Sequence, residues 1–275
     1  MIVLMLITLG VCLGSFTNAL VWRLHEQAKL AAEKKAELAE LSVLRGRSMC
    51  PKCKHQLAVQ DLIPVVSWIS LGGKCRYCHR PISWQYPLVE LLTAGLFIFS
   101  WVFWPSALAG IGLFEFVFWL IFITGLTALA VYDLKWFLLP NRIVYPLIGL
   151  ALVQLLLILV FYHGGFSTLS STFWGVLIAA GIFYVLFQLS HGKWIGGGDV
   201  KLGVLLGMLV GGPLNSILML FIASCTGTLL SLPFVITGRA RRDTHLPFGP
   251  LLVIGVIVVR LFGVSITHWL TGRYI

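Results

Sequence analysis

Residues 113–133 read LFEFVFWLIFITGLTALAVYD, an apolar run broken by Glu115 and closed by Asp133. A hydrocarbon core of about 30 Å takes roughly 20 helical residues, which is the length of this run. A second stretch, GGGDVKLGVLLG at 196–207, opens on three glycines and carries Asp199 as another apolar run begins. Ionisable residues at membrane boundaries are rare unless they pair or do chemistry. The two aspartates are therefore candidate functional residues wherever the chain folds.

Similar runs recur at 1–22, 86–104, 143–162, 172–190, 199–212, 214–236 and 248–270. With 113–133 they make eight candidate spans, of which 199–212 is the shortest and richest in glycine. Hydrophobic residues are 59% of the 275 and charged residues 11%; soluble domains average about half and a quarter. Spanning segments must satisfy their backbone hydrogen bonds internally. The expected fold class is an all-α polytopic membrane protein of about eight transmembrane helices with a small cytoplasmic zinc-binding domain. The expected divisions are a first helix at 1–22, a cytoplasmic zinc-binding domain at 23–85 and a seven-helix membrane domain at 86–275 that carries both aspartates. The first run lacks a positive amino-terminal region and a clear small-residue cleavage site, so it reads as a retained helix rather than a signal peptide.

The net charge is +10, and its distribution carries a topology signal. With alternating spans, all Lys and Arg except Arg260 and Arg273 fall on one side, which the positive-inside rule makes cytoplasmic. Both termini then lie outside. Asp133 and Asp199 come to the same cytoplasmic face, where contact between them is geometrically possible. The charge is a feature of orientation: no nucleic-acid partner is expected, and the lipid bilayer is.

Cys50-Pro-Lys-Cys53 and Cys75-Arg-Tyr-Cys78 form two C-x-x-C knuckles, slightly farther apart than the usual zinc-ribbon range. Four thiolates suit tetrahedral Zn²⁺, and a reducing cytoplasm disfavours disulfides. A closed four-cysteine site leaves no open coordination position, so the expected metal is structural. An iron–sulfur site or a redox pair is the other reading. His55 and His79 read as solvated loop residues, and Cys12 and Cys225 as small buried hydrophobes. Residues 25–44 have high helix propensity, with Leu30, Leu38, Leu41 and Leu44 giving a partial apolar stripe. Asn18, polar inside the first span, is expected to bond another helix. Trp101, Trp104, Trp174 and Trp269 fit interfacial belts.

Two readings compete for the aspartates. In one, Asp133 is a helix-end residue paired with Lys135 or Arg142, and Asp199 is an N-cap. In the other, the two share a site, split their titration and act as acid and base. Gly196-Gly197-Gly198 favours the second, because glycines allow unusual backbone angles and close approach of another chain.

The motifs together resemble the type IV prepilin peptidases, aspartic peptidases of the GxGD class. Gly14-Ser15-Phe16-Thr17-Asn18 with Arg23-Leu24 resembles the family's opening G-S-F-x-N…R-L. The paired knuckles are similar to its cytoplasmic domain, and Asp61–Trp68 is similar to N-I-P-L-x-S-W. Tyr86-Pro87-Leu88-Val89-Glu90 matches Y-P-x-V-E. Asp133 with Pro140-Asn141 resembles D-x6-P-[DN]. Gly196–Leu202 resembles G-x-G-D-x-K-L, and Pro247–Pro250 resembles P-F-G-P. The order is maintained nearly end to end. The resemblance implies Asp133 and Asp199 as the catalytic pair, and as substrate the leader of type IV prepilins and pseudopilins, cut at the cytosolic face of the bacterial inner membrane. Relatives often carry a second acid two positions after the first aspartate; here that position is Lys135. The resemblance further implies methylation of the new N-terminus with S-adenosylmethionine, for which Glu90 is a candidate site residue. A helix-start acid favoured by the macrodipole is the plainer reading of Glu90. Peptidase activity alone and a non-enzymatic scaffold or ion transporter are the alternatives.

Overall fold

The computed structural model describes residues 1–32, 41–42, 46–162, 165–237 and 247–272. Nine α-helices are seen among them: α1 Ile2–Ala32, α2 Val66–Ser70, α3 Gln85–Val102, α4 Ile111–Trp136, α5 Asn141–Phe161, α6 Phe166–Ser190, α7 Gly197–Val210, α8 Pro213–Ile236 and α9 Phe248–Thr271. A 3-10 turn covers Val59–Leu62. The only extended pairing among the described residues is two isolated bridges, Met49 with Gln56 and Lys74 with Pro81. The all-helical expectation therefore holds.

Seven helices have the length and composition to cross a membrane. The exception among the eight expected spans is the sixth. It runs over Gly197–Val210, which at 1.5 Å per residue is about 21 Å, short of the hydrocarbon thickness. Protein covers much of α7: Leu202, Leu205 and Leu206 are fully buried. At the other extreme, α1 continues past Trp22 to Ala32, so the polar helix expected at 25–44 begins as an extension of the first span. Lys34, Lys35, Leu38, Leu44, Arg45, Arg239, Arg241, Arg242 and Arg273 lie outside the described residues.

The chain forms two compact units. One comprises Met1–Val102 with Ile123–Ala128, the other Phe103–Phe122 with Leu129–Ile275. In the first, α1 and α3 touch backbone to backbone. A Cβ on Gly10 would stand 2.5 Å from Ala94 Cα, and one on Gly14 2.6 Å from Glu90 Cα. These glycines are one turn apart, the small-x-x-x-small pattern by which membrane helices approach closely. Asn18 bonds across this interface as expected, giving Nδ2–H to the Tyr86 carbonyl at 3.1 Å and accepting from Gln85 Nε2 at 3.1 Å. Beyond it, Arg23 donates to the carbonyls of Ser42 and Gly46, and Gln27 to that of Leu41.

The second unit repeats the device. A Cβ on Gly203 would stand 3.0 Å from Ala180 Cα, and one on Gly207 2.7 Å from Val176 Cα, so α7 presses against α6. Ser216 adds a bond from its hydroxyl to the Gly175 carbonyl at 2.9 Å. Arg260, one of the two charges outside the topology pattern, is neutralised by Glu115 at 2.7 Å and lies 5.0 Å over the Trp104 ring. Trp104 also packs on Phe116 and Trp119. Its position is set by this aromatic and cationic cluster rather than by a lipid-facing belt.

Candidate active site and metal centre

Asp133 does not end its helix. Helix α4 runs one further turn to Trp136 and closes with Phe137 in the left-handed conformation, whose N–H reaches the Asp133 carbonyl. The aspartate is consequently buried, 6% exposed. Its Oδ2 accepts the backbone N–H of Gly249 at 3.0 Å. That N–H belongs to the first turn of α9, where amides have no partner within the helix. A side chain on residue 249 would collide with the carboxylate, because a Cβ there would stand 2.7 Å from Oδ2. Lys135, offered by the sequence as a pairing partner for Asp133, holds its ammonium 5.3 Å over the Trp136 ring.

Asp199 is not the N-cap of α7. Gly196 has that position, and Asp199 is the third helical residue, its N–H bonded to the Gly196 carbonyl at 3.1 Å. Gly196 also lies beside the carboxylate: a Cβ there would be 3.7 Å from Oδ2. Gly198 packs on Leu139, whose Cβ would stand 3.1 Å from a Cβ added at the glycine.

Asp133 and Asp199 open into the same cavity of about 1100 Å³. Its walls are largely apolar, with Ile182, Phe183, Leu186, Leu220, Phe221 and Phe248 among them. A space of this size exceeds the usual small-molecule pocket. Two carboxylates lining one apolar cavity can supply an acid and a base to a bond held there. The starts of α5 and α7 are joined nearby. Lys201 Nζ donates to Asn141 Oδ1 at 2.9 Å and lies 5.4 Å over the Tyr145 ring.

The candidate metal centre is separate from this cavity. The four sulfurs of Cys50, Cys53, Cys75 and Cys78 lie within 4.8 Å of one another, with Cys50 and Cys78 at 3.9 Å. Tetrahedral ligation at about 2.3 Å puts sulfurs about 3.8 Å apart, so the cluster fits such an ion after small adjustments. The two knuckles have the same local form. Cys50 N–H bonds to the His55 carbonyl and Lys54 N–H to the Cys50 carbonyl; Cys75 N–H bonds to that of Arg80 and His79 N–H to that of Cys75. Lys54 and His79, each four residues after a knuckle's first cysteine, both turn at positive φ. Burial pushes the Cys50 thiol up, but the Cys53 and Lys52 amides together with the Cys75 and Cys53 thiols outweigh it and bring it down to about 7. The Arg80 amide pulls the Cys78 thiol down, but burial and the neighbouring thiols outweigh it and push it the other way, up to about 11. His55 and His79 are exposed, and His55 stacks on Tyr77 at 3.8 Å. Cys12 and Cys225 are exposed rather than buried; in an apolar span such positions face lipid, which accepts a small hydrophobe as well as a core does.

Glu90 is 5% exposed and belongs to the α1–α3 contact. Its Oε2 accepts the Val65 N–H at 2.7 Å. Val65 sits at φ 61°, ψ −53°, a strained conformation for a β-branched residue that costs of order 1–3 kcal/mol. A hydrogen bond of this length offsets part of that cost.

Comparison with known proteins bears directly on these features. Residues 8–104 match the family described as the bacterial peptidase A24 N-terminal domain, and residues 120–232 the type IV leader peptidase family. The chain is 34% identical to the prepilin leader peptidase/N-methyltransferase of Stutzerimonas stutzeri, over 96% of this chain and 92% of that one. The chain belongs to the type IV leader peptidase family. A prepilin leader peptidase/N-methyltransferase of Bacillus subtilis strain 168 is 35% identical over 82% of this chain and 86% of its own. A type 4 prepilin-like proteins leader peptide-processing enzyme of Escherichia coli O78:H11 is 34% identical over 90% and 89%. No solved structure matches the chain. The leader peptidase sequence motifs G-x-G-D and D-x6-P-N carried the aspartates into view. They did not reveal that Gly249 holds one carboxylate or that Lys201 and Asn141 join two motifs. The only trace of these contacts was that the residues fall inside the quoted motifs.

Proposed function

We propose that Asp133 and Asp199 are the catalytic pair of a multi-pass membrane endopeptidase, which removes the leaders of type IV prepilins and pseudopilins at the cytosolic face of the bacterial inner membrane. The observation that carries this reading is one apolar cavity lined by both carboxylates. With one proton between the pair, the ionised member takes a proton from water as its oxygen attacks the scissile carbonyl. The protonated member gives its proton to the departing amine, and the pair ends with the one proton it began with. The Gly249 amide holds Asp133 still through both steps. The apolar walls suit an apolar stretch of substrate chain, and Gly196 and Gly197 offer backbone without side chains beside Asp199.

Zn²⁺ is assigned to Cys50, Cys53, Cys75 and Cys78, where it would brace a polar segment with little core of its own. The same enzyme transfers a methyl group to the newly exposed N-terminus, with S-adenosylmethionine as donor. Glu90 has the carboxyl group that a sulfonium would meet, but its Oε2 is already engaged by Val65. Binding there would require residues 63–67 to withdraw.

Asp133→Asn and Asp199→Asn should each abolish leader cleavage in membranes while the protein remains folded. Normal cleavage by either variant would refute the pair. Cleavage without methyl incorporation from labelled S-adenosylmethionine would restrict the function to peptidase activity.

A further inference from the structure

The exposed apolar side chains of residues 46–84 are not scattered. Apart from Tyr77, they are Val59, Leu62, Ile63, Val66, Ile69 and Trp84. Val59 is 84%, Ile69 65% and Trp84 73% exposed. The exposed cations Arg47, Lys52, Lys54, Lys74, Arg76 and Arg80 lie on or beside the knuckles instead. The stretch VQDLIPVVSWI, 59–69, contains a single charge, Asp61. That side chain is turned inward: it is 3% exposed and takes bonds from Arg76 Nε at 2.8 Å and Tyr77 Oη at 3.2 Å. The segment therefore presents an uncharged apolar surface outside the long helices.

Its depth follows from α3. The 18 residues of α3 measure about 27 Å, close to the whole hydrocarbon thickness. A helix so short reaches the interface at its first residue, Gln85. Glu90 lies five residues along, about 7.5 Å farther in, and its carboxylate holds the Val65 N–H at 2.7 Å. Trp68 stacks on Trp84 with ring centres 4.1 Å apart and donates to the Ile82 carbonyl. The apolar segment is thus pinned at two points to the membrane-entry end of α3, and tryptophan is a residue that settles at that level.

We propose that residues 59–71, with Trp84, form an interfacial segment that lies in the lipid headgroup and upper acyl region beside α3. Its occupant is the lipid surface itself. The apolar side chains enter the leaflet while Lys74 and Arg80, between the segment and Trp84 in the chain, meet anionic headgroups, the combination that holds amphipathic segments at a bilayer surface. Glu90 and Trp84 set the depth, and the Asp61–Arg76 bond keeps the one acid of the segment out of the lipid.

A photoreactive diazirine residue placed at Val59, Val66 or Ile69 of the full chain tests this in vesicles of phosphatidylethanolamine and phosphatidylglycerol. The same residue at Lys52 is the control. Irradiation and intact mass should show phospholipid adducts at 59, 66 and 69 and their loss at 52. Variants are read only if they still cleave a leader peptide, which establishes that they fold. Absence of lipid adducts at the three positions, or equal adducts at 52, would overturn the proposal. Adducts with an added leader peptide in place of lipid would also overturn it and make the surface a substrate contact.

Discussion

Gly249→Ala isolates the contact on which the proposed active site depends. Residue 249 lies in the first turn of α9, where alanine is as acceptable to the backbone as glycine. Only space opposes the substitution. The new Cβ would stand 2.7 Å from Asp133 Oδ2, against the 3.4 Å at which ordinary contact begins, a shortfall of about 0.7 Å. The carboxylate must retreat by most of that distance, lengthening its 3.0 Å bond to the amide. Hydrogen bonds to charged groups contribute about 1.5–3 kcal/mol, and displacing a reacting group by 1 Å can cost about a hundredfold in rate. We expect kcat/KM for leader cleavage to fall about 10–100-fold, equivalent to about 1.4–2.7 kcal/mol of transition-state stabilisation. The assay is cleavage of a leader-bearing substrate in proteoliposomes, with thermal unfolding as the control for folding. The double variant Gly249→Ala, Asp133→Asn should be no worse than Asp133→Asn alone, since both act through one carboxylate. A folded Gly249→Ala enzyme with the parent kcat/KM would refute the reasoning.

Lys201→Met removes the bond to Asn141 and the contact with Tyr145, and should lower stability by about 1–2 kcal/mol while slowing cleavage; unchanged unfolding and rate would show that the junction of α5 and α7 is idle. Cys50→Ser should reduce bound zinc below one per chain, read by elemental analysis, and unchanged metal content would exclude the four-sulfur site. Burial works to raise the Asp61 pKa, but the Arg76 bond, with the Ala58 amide and Tyr77, outweighs it and holds the carboxyl below its ordinary value. A depressed carboxylate stabilises fully above the unfolded value of about 4 and loses that contribution as pH falls through the lower folded value. The stability difference between the parent and Asp61→Asn should accordingly be about 1 kcal/mol and flat above about pH 5, then shrink below about pH 4, in thermal unfolding followed against pH.

Helix class, the long spans and the four-sulfur cluster were legible because each rests on local information. A bilayer demands about 20 apolar residues in a row wherever they occur, and a C-x-x-C turn brings its two sulfurs together unaided. Family membership was legible too, because motifs in order are a one-dimensional signal. The sixth span is the exception: length and composition alone do not say that α6 would cover α7, whose helix is only 14 residues long.

What the chain order could not contain was contact between distant residues. Asp133 and Gly249 are 116 positions apart, and Lys201 and Asn141 are 60 apart. A glycine in a motif looks the same whether it turns the backbone or makes room for a carboxylate. Charge asymmetry argued that the aspartates share a face, yet a shared face is not a shared cavity. That depends on Gly203 and Gly207 letting α7 press against α6, and on α9 starting where Asp133 needs a donor. The sequence by itself determined which residues must leave water and which carry charge, since transfer free energy is a property of each side chain. Only the tertiary structure decided which charges meet, because that depends on where the packed backbones leave room.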